Sequence, residues 1–598
     1  MFTAWDYAAF AAMLLISTGI GLYFGCTGGR QRTTREYMLA DRSMGLLPVS
    51  LSQLSSFISS ITVLGVPAEM YVFGSQYWMV WVGYAIAMPT AAYVFIPVFY
   101  NLGMTSIFEY LELRYDRGIR VIVSIMYVIN MVLYMALVLY TPSLALAVVM
   151  GFSKWGAVLV VGVVCIFYSA LGGIKAVMWT DVFQVIIMFG GMFAILIQGY
   201  IDHDGFGNIW TIMEEGDRIH FWDFSTDPTK RHTVWNLGIG AAFTWMSVYG
   251  TNQAQVQRSL CTPNLRTAQM ALWLNVPGLT ALLAVACMCG AVVYAEFRDC
   301  DPLTGPAHLK RDQLVPLYVR DHIDYPLVPG LFVAAVFSGS LSTLSSGLNA
   351  LAAVVLQDLV RPFCLPKMNE STAANVSKGL AVGFGALVIL STYVVSILGG
   401  VLQISYTIFG MISGPILGIF TLGMTNPWSN KIGAYVGFIS GLIATSWLGI
   451  GAFLYKPSVY KPPVSLAGCP VDNSTVVTSL YHNYSTAAAP ESRPEDKAGY
   501  LSIYELSYMW YNVFAVAVVN VVGVVVSLLT GGADPKKVDP RLLTPAVQAF
   551  CGCLPAKFRQ CLQCNIDRTQ VGCARQLVYV GHLICDTCPK ILLYDTHI

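Results

Sequence analysis

The sequence predicts an all-α polytopic membrane protein of about thirteen transmembrane helices. Two observations lead there. The 598 residues are 56% hydrophobic and 11% charged, whereas a soluble domain carries about a quarter charged residues. Apolar runs of around twenty residues also recur from end to end, each able to cross a hydrocarbon core of roughly 30 Å as a helix. The formal net charge of +1 gives no general case for nucleic-acid binding.

In chain order the spans read as 5–25, 46–72, 78–100, 120–148, 155–174, 180–201, 233–257, 268–296, 327–358, 378–399, 401–424, 432–453 and 506–530. The first follows a head with no basic residue and is too long for a cleavable signal, so it reads as a retained helix. Residues 1–45 form an accessory helix and loop. Residues 425–530 add further accessory helices around the loop 454–504, and 531–598 form a cysteine-rich tail.

Loop charge predicts the orientation. One set of alternate loops holds Arg30, Arg32, Arg35 and Arg42, then Arg114, Arg117 and Arg120, then Arg258 and Arg266, then Arg361 and Lys367. Short loops of the other set, 73–77 and 149–154, carry at most Lys154. The arginine-rich set is expected in the cytoplasm. The N-terminus then lies outside, and an odd number of spans puts the tail inside. The acceptor sequences at Asn473 and Asn483 fall in loop 454–504, on the expected outer side, and are expected to be glycosylated. Those at Asn369 and Asn375 fall inside and are expected to be unmodified.

The 15 cysteines do not form a secreted disulfide framework. Cys300 and Cys469 both fall in outer loops and could pair. Cys551, Cys553, Cys561, Cys564, Cys573, Cys585 and Cys588 crowd the tail, where a reduced tail, acylation and a structural Zn²⁺ site all fit.

Function in a membrane protein is signalled by polarity inside a span, because no water satisfies a polar group there. The span 46–72 contains Ser50, Ser52, Ser55, Ser56, Ser59, Ser60 and Thr62, with Gly65-Val66-Pro67 inside it. Proline removes a backbone donor, so unwinding is expected near Pro67, freeing carbonyl oxygens suited to a sodium ion. Close helix packing fits this composition equally well. The span 327–358 carries Ser338-Gly339-Ser340-Leu341-Ser342-Thr343-Leu344-Ser345-Ser346 midway. Adjacent Ser342 and Thr343 could offer two neutral oxygens to one ion. Two such spans suggest a broken helix meeting a partner near the midplane. No nucleophile–base constellation or nucleotide loop is present, so the expected activity is not enzymatic.

Specific motifs carry a family resemblance. They are Val63-Leu64-Gly65-Val66-Pro67, Glu109-Tyr110-Leu111-Glu112-Leu113-Arg114, Gly172-Gly173-Ile174-Lys175-Ala176-Val177, Trp179-Thr180-Asp181-Val182-Phe183-Gln184, Asn252-Gln253-Ala254-Gln255-Val256-Gln257-Arg258 and Ser338-Gly339-Ser340-Leu341-Ser342-Thr343. From about residue 30 to 530 the chain resembles the sodium/solute symporter family, in the branch of multivitamin, monocarboxylate and iodide transporters. The resemblance implies a LeuT-like core, 46–424, of two inverted five-helix repeats. It implies a Na⁺ site at the carbonyls of Ser55, Ile58 and Gly339 and the hydroxyls of Ser342 and Thr343. A second Na⁺ position falls at Ser59 and Tyr134, with Thr62 replacing a further polar ligand. The implied substrate cavity comprises Phe57, Thr62, Val66, Val80, Trp81, Tyr84 and Trp245. Asp181 resembles an acid on the inward sodium route, though a helix-capping role fits its expected junction position too. Glu69, near the outer end of its span, either guides cations or faces water.

Thr62 and Tyr84 stand where iodide-type members carry glutamine, which favours a small organic anion over iodide. The expected partners are that anion, co-transported Na⁺ and the lipid bilayer of the plasma membrane. An inorganic-anion symporter and a transport-dead sensor or channel on the same scaffold are the alternatives.

Overall fold

The structure, a computed structural model, describes residues 3–27, 33–151, 153–304, 309–396, 401–455, 459–469 and 501–544. Among these residues there is no β-strand. Among the described residues, ten helices are long and apolar enough to cross a membrane, or eleven if one bent pair counts as a single crossing. The chain is therefore a multi-pass helical membrane protein.

The crossings begin with α1 (Ala4–Cys26). The bent pair follows as α2 (Leu46–Phe57) and α3 (Ser60–Phe73). Next come α4 (Val80–Thr90), part of the crossing Ser75–Leu102, and α5 (Arg117–Met150). The segments 155–174 and 180–201 run together in the 49-residue α6 (Lys154–Asp202). Its interruption is at Gly173, whose φ of 61° and ψ of −165° suit a residue without a Cβ. The segment 233–257 is not one of the ten apolar crossings. It contains α7 (Ala241–Thr251) and α8 (Gln253–Leu260), separated by extended Asn252. Its polar run lowers its hydropathy, yet Gln253, Gln255 and Gln257 are buried and hydrogen-bonded to neighbouring segments. The chain continues through α9 (Leu265–Glu296), α10 (Val328–Val354), α11 (Glu370–Val395), α12 (Val401–Ile408), α13 (Gly414–Thr425), α14 (Lys431–Tyr455) and α15 (Tyr511–Leu529).

Helix α10 is buried on every face, the signature of a central helix. It packs against α1, α5, α6, α11 and both halves of the bent pair. The helices α14 and α15 pair with each other and lean on α13.

The two ends of the bundle differ. At one, Cys300 and Cys469 form a disulfide. There Asp301 N donates to Ser465 O (3.0 Å) and Gly468 N to Asp299 O (2.8 Å). At the other, residues 531–544 return to the core. Thr544 N donates to Met424 O (3.0 Å), and Tyr110 Oη donates to Leu542 O (3.0 Å).

The arginines read as loop charges are not all solvated. Arg258 is fully buried in α8. Arg114 is buried against the carbonyls of Gly423, Asn426 and Pro427. Arg120 pairs with Asp358 and with Glu112, 2.7 Å away. A guanidinium's several fixed donors let it crosslink carbonyls and carboxylates beneath the surface. Asn473, Asn483 and the tail cysteines from Cys551 to Cys588 lie outside the described residues. Among the described residues, no three His, Cys, Asp or Glu side chains are grouped to hold a metal ion.

Candidate functional site

The bend between α2 and α3 is 58° and falls at Ile58–Ser59. Ile58 leaves helical geometry (φ −87°, ψ 86°), and Ser59 is extended. The Ser59 hydroxyl accepts from Ile61 N at 3.2 Å, capping α3. This corrects the expectation of unwinding at Pro67, which sits inside continuous α3. Proline removes one N–H; a capped start at Ser59 sets the boundary instead, and Pro67 packs backbone-on against Gly290 of α9. The last carbonyls of α2, from Leu54 to Phe57, therefore lack intrahelical donors.

Helix α10 lies directly on this bend. A Cβ built on Gly339 would meet Ser59 C and Ser60 N at 2.9 Å and Ile58 O at 3.4 Å. Only glycine lets the two backbones approach this closely. Hydroxyls on both sides then meet. Ser342 Oγ lies 2.9 Å from Ser55 Oγ, Ser340 Oγ 2.8 Å from Ser60 Oγ, and Ser346 Oγ 3.4 Å from Ser56 Oγ. Thr343 Oγ1 donates back to Gly339 O at 3.1 Å. Ser55, Ile58, Gly339, Ser342 and Thr343 thus share one seam of neutral oxygens in the buried centre of the bundle.

Asp181 flanks the seam. It is 0% exposed, well inside α6, and so does not cap a helix end. Ser342 Oγ donates to Asp181 Oδ1 and Ser52 Oγ to Oδ2, each at 2.6 Å. Arg258, also 0% exposed, pairs with Oδ2 at 3.1 Å. It also donates to Ser52 Oγ (2.7 Å), Ala254 O (2.6 Å) and Ser346 Oγ. The network crosslinks α2, α6, α8 and α10. Lys175, by contrast, does lie near the Gly173 interruption, 3.6 Å from Asp41. The roles of Ser52, Arg258 and Ser346 escape a reading of single spans. Their signal is a polar run ending an apolar segment opposite a lone acid in another.

Ser59 and Tyr134, the residues of the expected second ion position, are neighbours. Tyr134 stacks on Phe57 at 5.6 Å, and Phe409 closes on both rings at 4.8 and 6.1 Å. Tyr84 meets Trp245 edge-on at 4.9 Å. Trp245 is 9% exposed, and its indole nitrogen faces Tyr406 without closing a hydrogen bond. Val66 and Val80 are buried, while Thr62 and Trp81 are half-buried. Val80, Trp81 and Tyr84 share one face of α4. Among the described residues, no ring–ring contact joins the Tyr84–Trp245 pair to the Phe57–Tyr134 pair; Phe409 packs on the second, and Tyr249 packs on Trp245 at 6.0 Å.

Glu69 neither faces water nor stands open to cations. It is 4% exposed, with Arg231 Nε at 2.6 Å and His232 Nε2 at 3.2 Å from its Oε1. Apolar burial of a carboxylate is tolerated when it is paired in this way.

Comparison with known proteins fits this architecture. The chain is 44% identical over 543 residues to sodium-coupled monocarboxylate transporter 1 of Xenopus laevis, covering 89% of this chain and 86% of the relative. It is 41% identical over 568 residues to the sodium-dependent multivitamin transporter of Oryctolagus cuniculus, covering 94% and 88%. Among solved structures, a substrate-bound, outward-open Na⁺-coupled sialic acid symporter aligns with a TM-score of 0.71 at 23% identity, covering 90% of this chain and all of that one. The likeness extends to the fold. Residues 37–441 match the family model described as the sodium:solute symporter family, and the chain belongs to that family.

Proposed function

We propose that this chain is a sodium-coupled symporter that imports a small organic carboxylate across the plasma membrane by alternating access. The observation that carries the reading is the contact of Gly339 with the bend at Ile58–Ser59. That contact unites unpaired helix-end carbonyls with the hydroxyls of Ser342 and Thr343. Neutral oxygens suit an alkali ion that must be released again, whereas a cluster of fixed charges would hold it. The relatives named for monocarboxylates and for vitamins support a carboxylate as cargo. The hydroxyl of Tyr84 and the indole of Trp245 can donate to it, and the surrounding rings suit an apolar tail.

In this reading Na⁺ from outside joins α2–α3 to α10 and lowers the cost of ordering the cavity around the anion. The coupling is reciprocal, so bound anion raises sodium affinity by the same factor. Asp181 lies beside the sodium seam on the inward side, and Ser59 with Tyr134 forms a second ion position. The transport core is 46–424. Thirteen crossings result if α6 is divided at Gly173 and the segment containing α7 and α8 counts as one. The disulfide end faces outward, since disulfides persist in oxidising compartments. The N-terminus is then outside, the tail inside, and Asn473 and Asn483 are glycosylated.

The test is whole-cell current and tracer uptake in a cell lacking endogenous transport. Lactate, biotin, pantothenate and iodide are applied with and without sodium. A saturable, sodium-requiring current with accumulation of lactate or a vitamin is expected. Iodide accumulation alone would favour an inorganic-anion carrier. Unsaturable current would indicate a channel, and charge movement without accumulation a sensor.

A further inference from the structure

We propose that Arg311 is the outer capture site for the substrate's carboxylate, resting on the organic-anion reading above. The residues concerned form a column above the cavity, at the disulfide end. Tyr77 Oη and Tyr406 Oη are 3.1 Å apart, and Tyr406 also faces Trp245. The next layer holds Tyr508, whose ring packs on Tyr406 at 5.6 Å, with His232 and the Glu69–Arg231 pair. Arg231 Nη1 additionally donates to Gln403 Oε1 at 3.1 Å. This layer ties α3 to the chain before α7, to α12 and to the start of α15, so it shuts the cavity on this side.

Above it two guanidiniums share one ring. Arg231 Cζ lies 4.3 Å from the Phe73 centroid, and Arg311 Cζ lies 5.3 Å from it. They differ in what else they hold. The Arg231 side chain is 8% exposed and engaged by Glu69. Arg311 is half-buried and, among the described residues, makes no ion pair. Lys461 is exposed and close enough to Arg311 for the two to repel. Around the mouth, Arg218, Arg231, Arg311 and Lys461 stand against Glu69, Asp217, Asp301 and Asp312, with Asp217 held by His220 at 2.7 Å. The carboxylates are already engaged: Glu69 by Arg231, Asp301 by Tyr71 and Thr304, and Asp312 buried with a partner of its own. The guanidinium of this group that is partly exposed and holds no carboxylate among the described residues is Arg311, since Arg218 is fully buried and Arg231 is paired with Glu69.

A guanidinium presents a rigid fork that matches a carboxylate, and an aromatic face beneath it holds the plane. An anion arriving at Arg311 is then one ring away from Arg231. It competes with Glu69 for that second guanidinium, and winning it loosens the layer that closes the cavity. Capture and opening are thus linked through Phe73.

The test uses the full-length transporter at the cell surface, with lactate as probe and sodium held constant. Arg311→Gln is expected to raise the KM for lactate by about tenfold with maximal current and surface expression retained, while Arg311→Lys recovers part of the loss. Added choline chloride is expected to raise the wild-type KM and to leave that of the glutamine variant nearly unchanged, since capture at a half-buried charge is screened by salt. An unchanged lactate KM in Arg311→Gln, with normal wild-type transport, overturns the capture site and leaves the symport reading intact. Absence of any lactate, biotin or pantothenate current in the wild type overturns the substrate reading and the capture site together.

Discussion

The bent helix is held by two buried ion pairs, one on each half, and they are built differently. On α2, Ser52 joins the Asp181–Arg258 pair, whose members have no solvent exposure. Hydroxyls from α2 and α10 complete the carboxylate's shell, so the pair is part of the hydroxyl seam between those helices. On α3, Glu69 pairs with Arg231, and the surroundings are aromatic rings and one amide. The inner pair crosslinks four helices around the proposed ion position. The outer pair joins α3 to the chain before α7 and, through Gln403, to α12. The difference teaches that a buried pair's neighbours separate its roles: hydroxyls tie the first to the proposed ion site, and aromatic rings tie the second to the proposed closure.

The strongest way to break this comparison is Arg258→Met. It leaves the Asp181 charge buried without its cation, a change that costs about 3–5 kcal/mol. Purified protein is expected to melt far lower, and little should reach the surface. Adding Asp181→Leu is expected to recover thermal stability without recovering transport. Recovery of transport as well would show that the inner pair is only structural.

The pair Ser342→Ala with Thr343→Ala tests the seam without removing a charge. The sodium concentration for half-maximal current is expected to rise at least about tenfold, the equivalent of 1.4 kcal/mol. An unchanged sodium dependence would remove the ion from this position. Gly339→Ala sharpens the same point by geometry. The added methyl meets backbone at Ser59 and Ser60, which cannot rotate away. Overpacking of this sort costs about 1–3 kcal/mol, and here it separates the seam's two sides. Sodium affinity should fall by several-fold, and more than the KM for lactate.

Much of this was readable in the residues. The hydroxyl runs of 50–62 and 338–346 mark the two partners because so many hydroxyls within apolar spans require a buried counterpart. The resemblance supplied the individual positions, and Ser55, Ile58, Gly339, Ser342 and Thr343 do meet. What was not readable depends on three dimensions. Pro67 drew the break to itself, yet the boundary follows from Ser59 capping a new helix, which composition does not distinguish from six neighbouring hydroxyls. Arg258 read as a loop charge because its segment is polar, and its carboxylate lies 77 residues away. The place of Glu69 near a helix end fits either guiding cations or facing water, while its burial comes with Arg231 and His232 on a distant segment.

The outer pair gives the smallest effect and the sharpest contrast. Glu69→Gln keeps the side chain's size and one acceptor oxygen, and Arg231 keeps Gln403 and its two rings. The glutamine oxygen still accepts from Arg231, so the loss is the ionic part of one contact, about 1.5–3 kcal/mol, below the cost of removing a whole partner. If the pair is a closure rather than part of the ion site, weakening it favours the outward-open form. The KM for lactate should stay level or fall, maximal current should drop a few-fold, and the sodium half-saturation should move less than about twofold. Parallel sodium titrations of Glu69→Gln and Ser342→Ala decide it: a sodium shift as large in the first as in the second would mean that both ends of the bent helix serve the ion, and that the division between seam and closure is wrong.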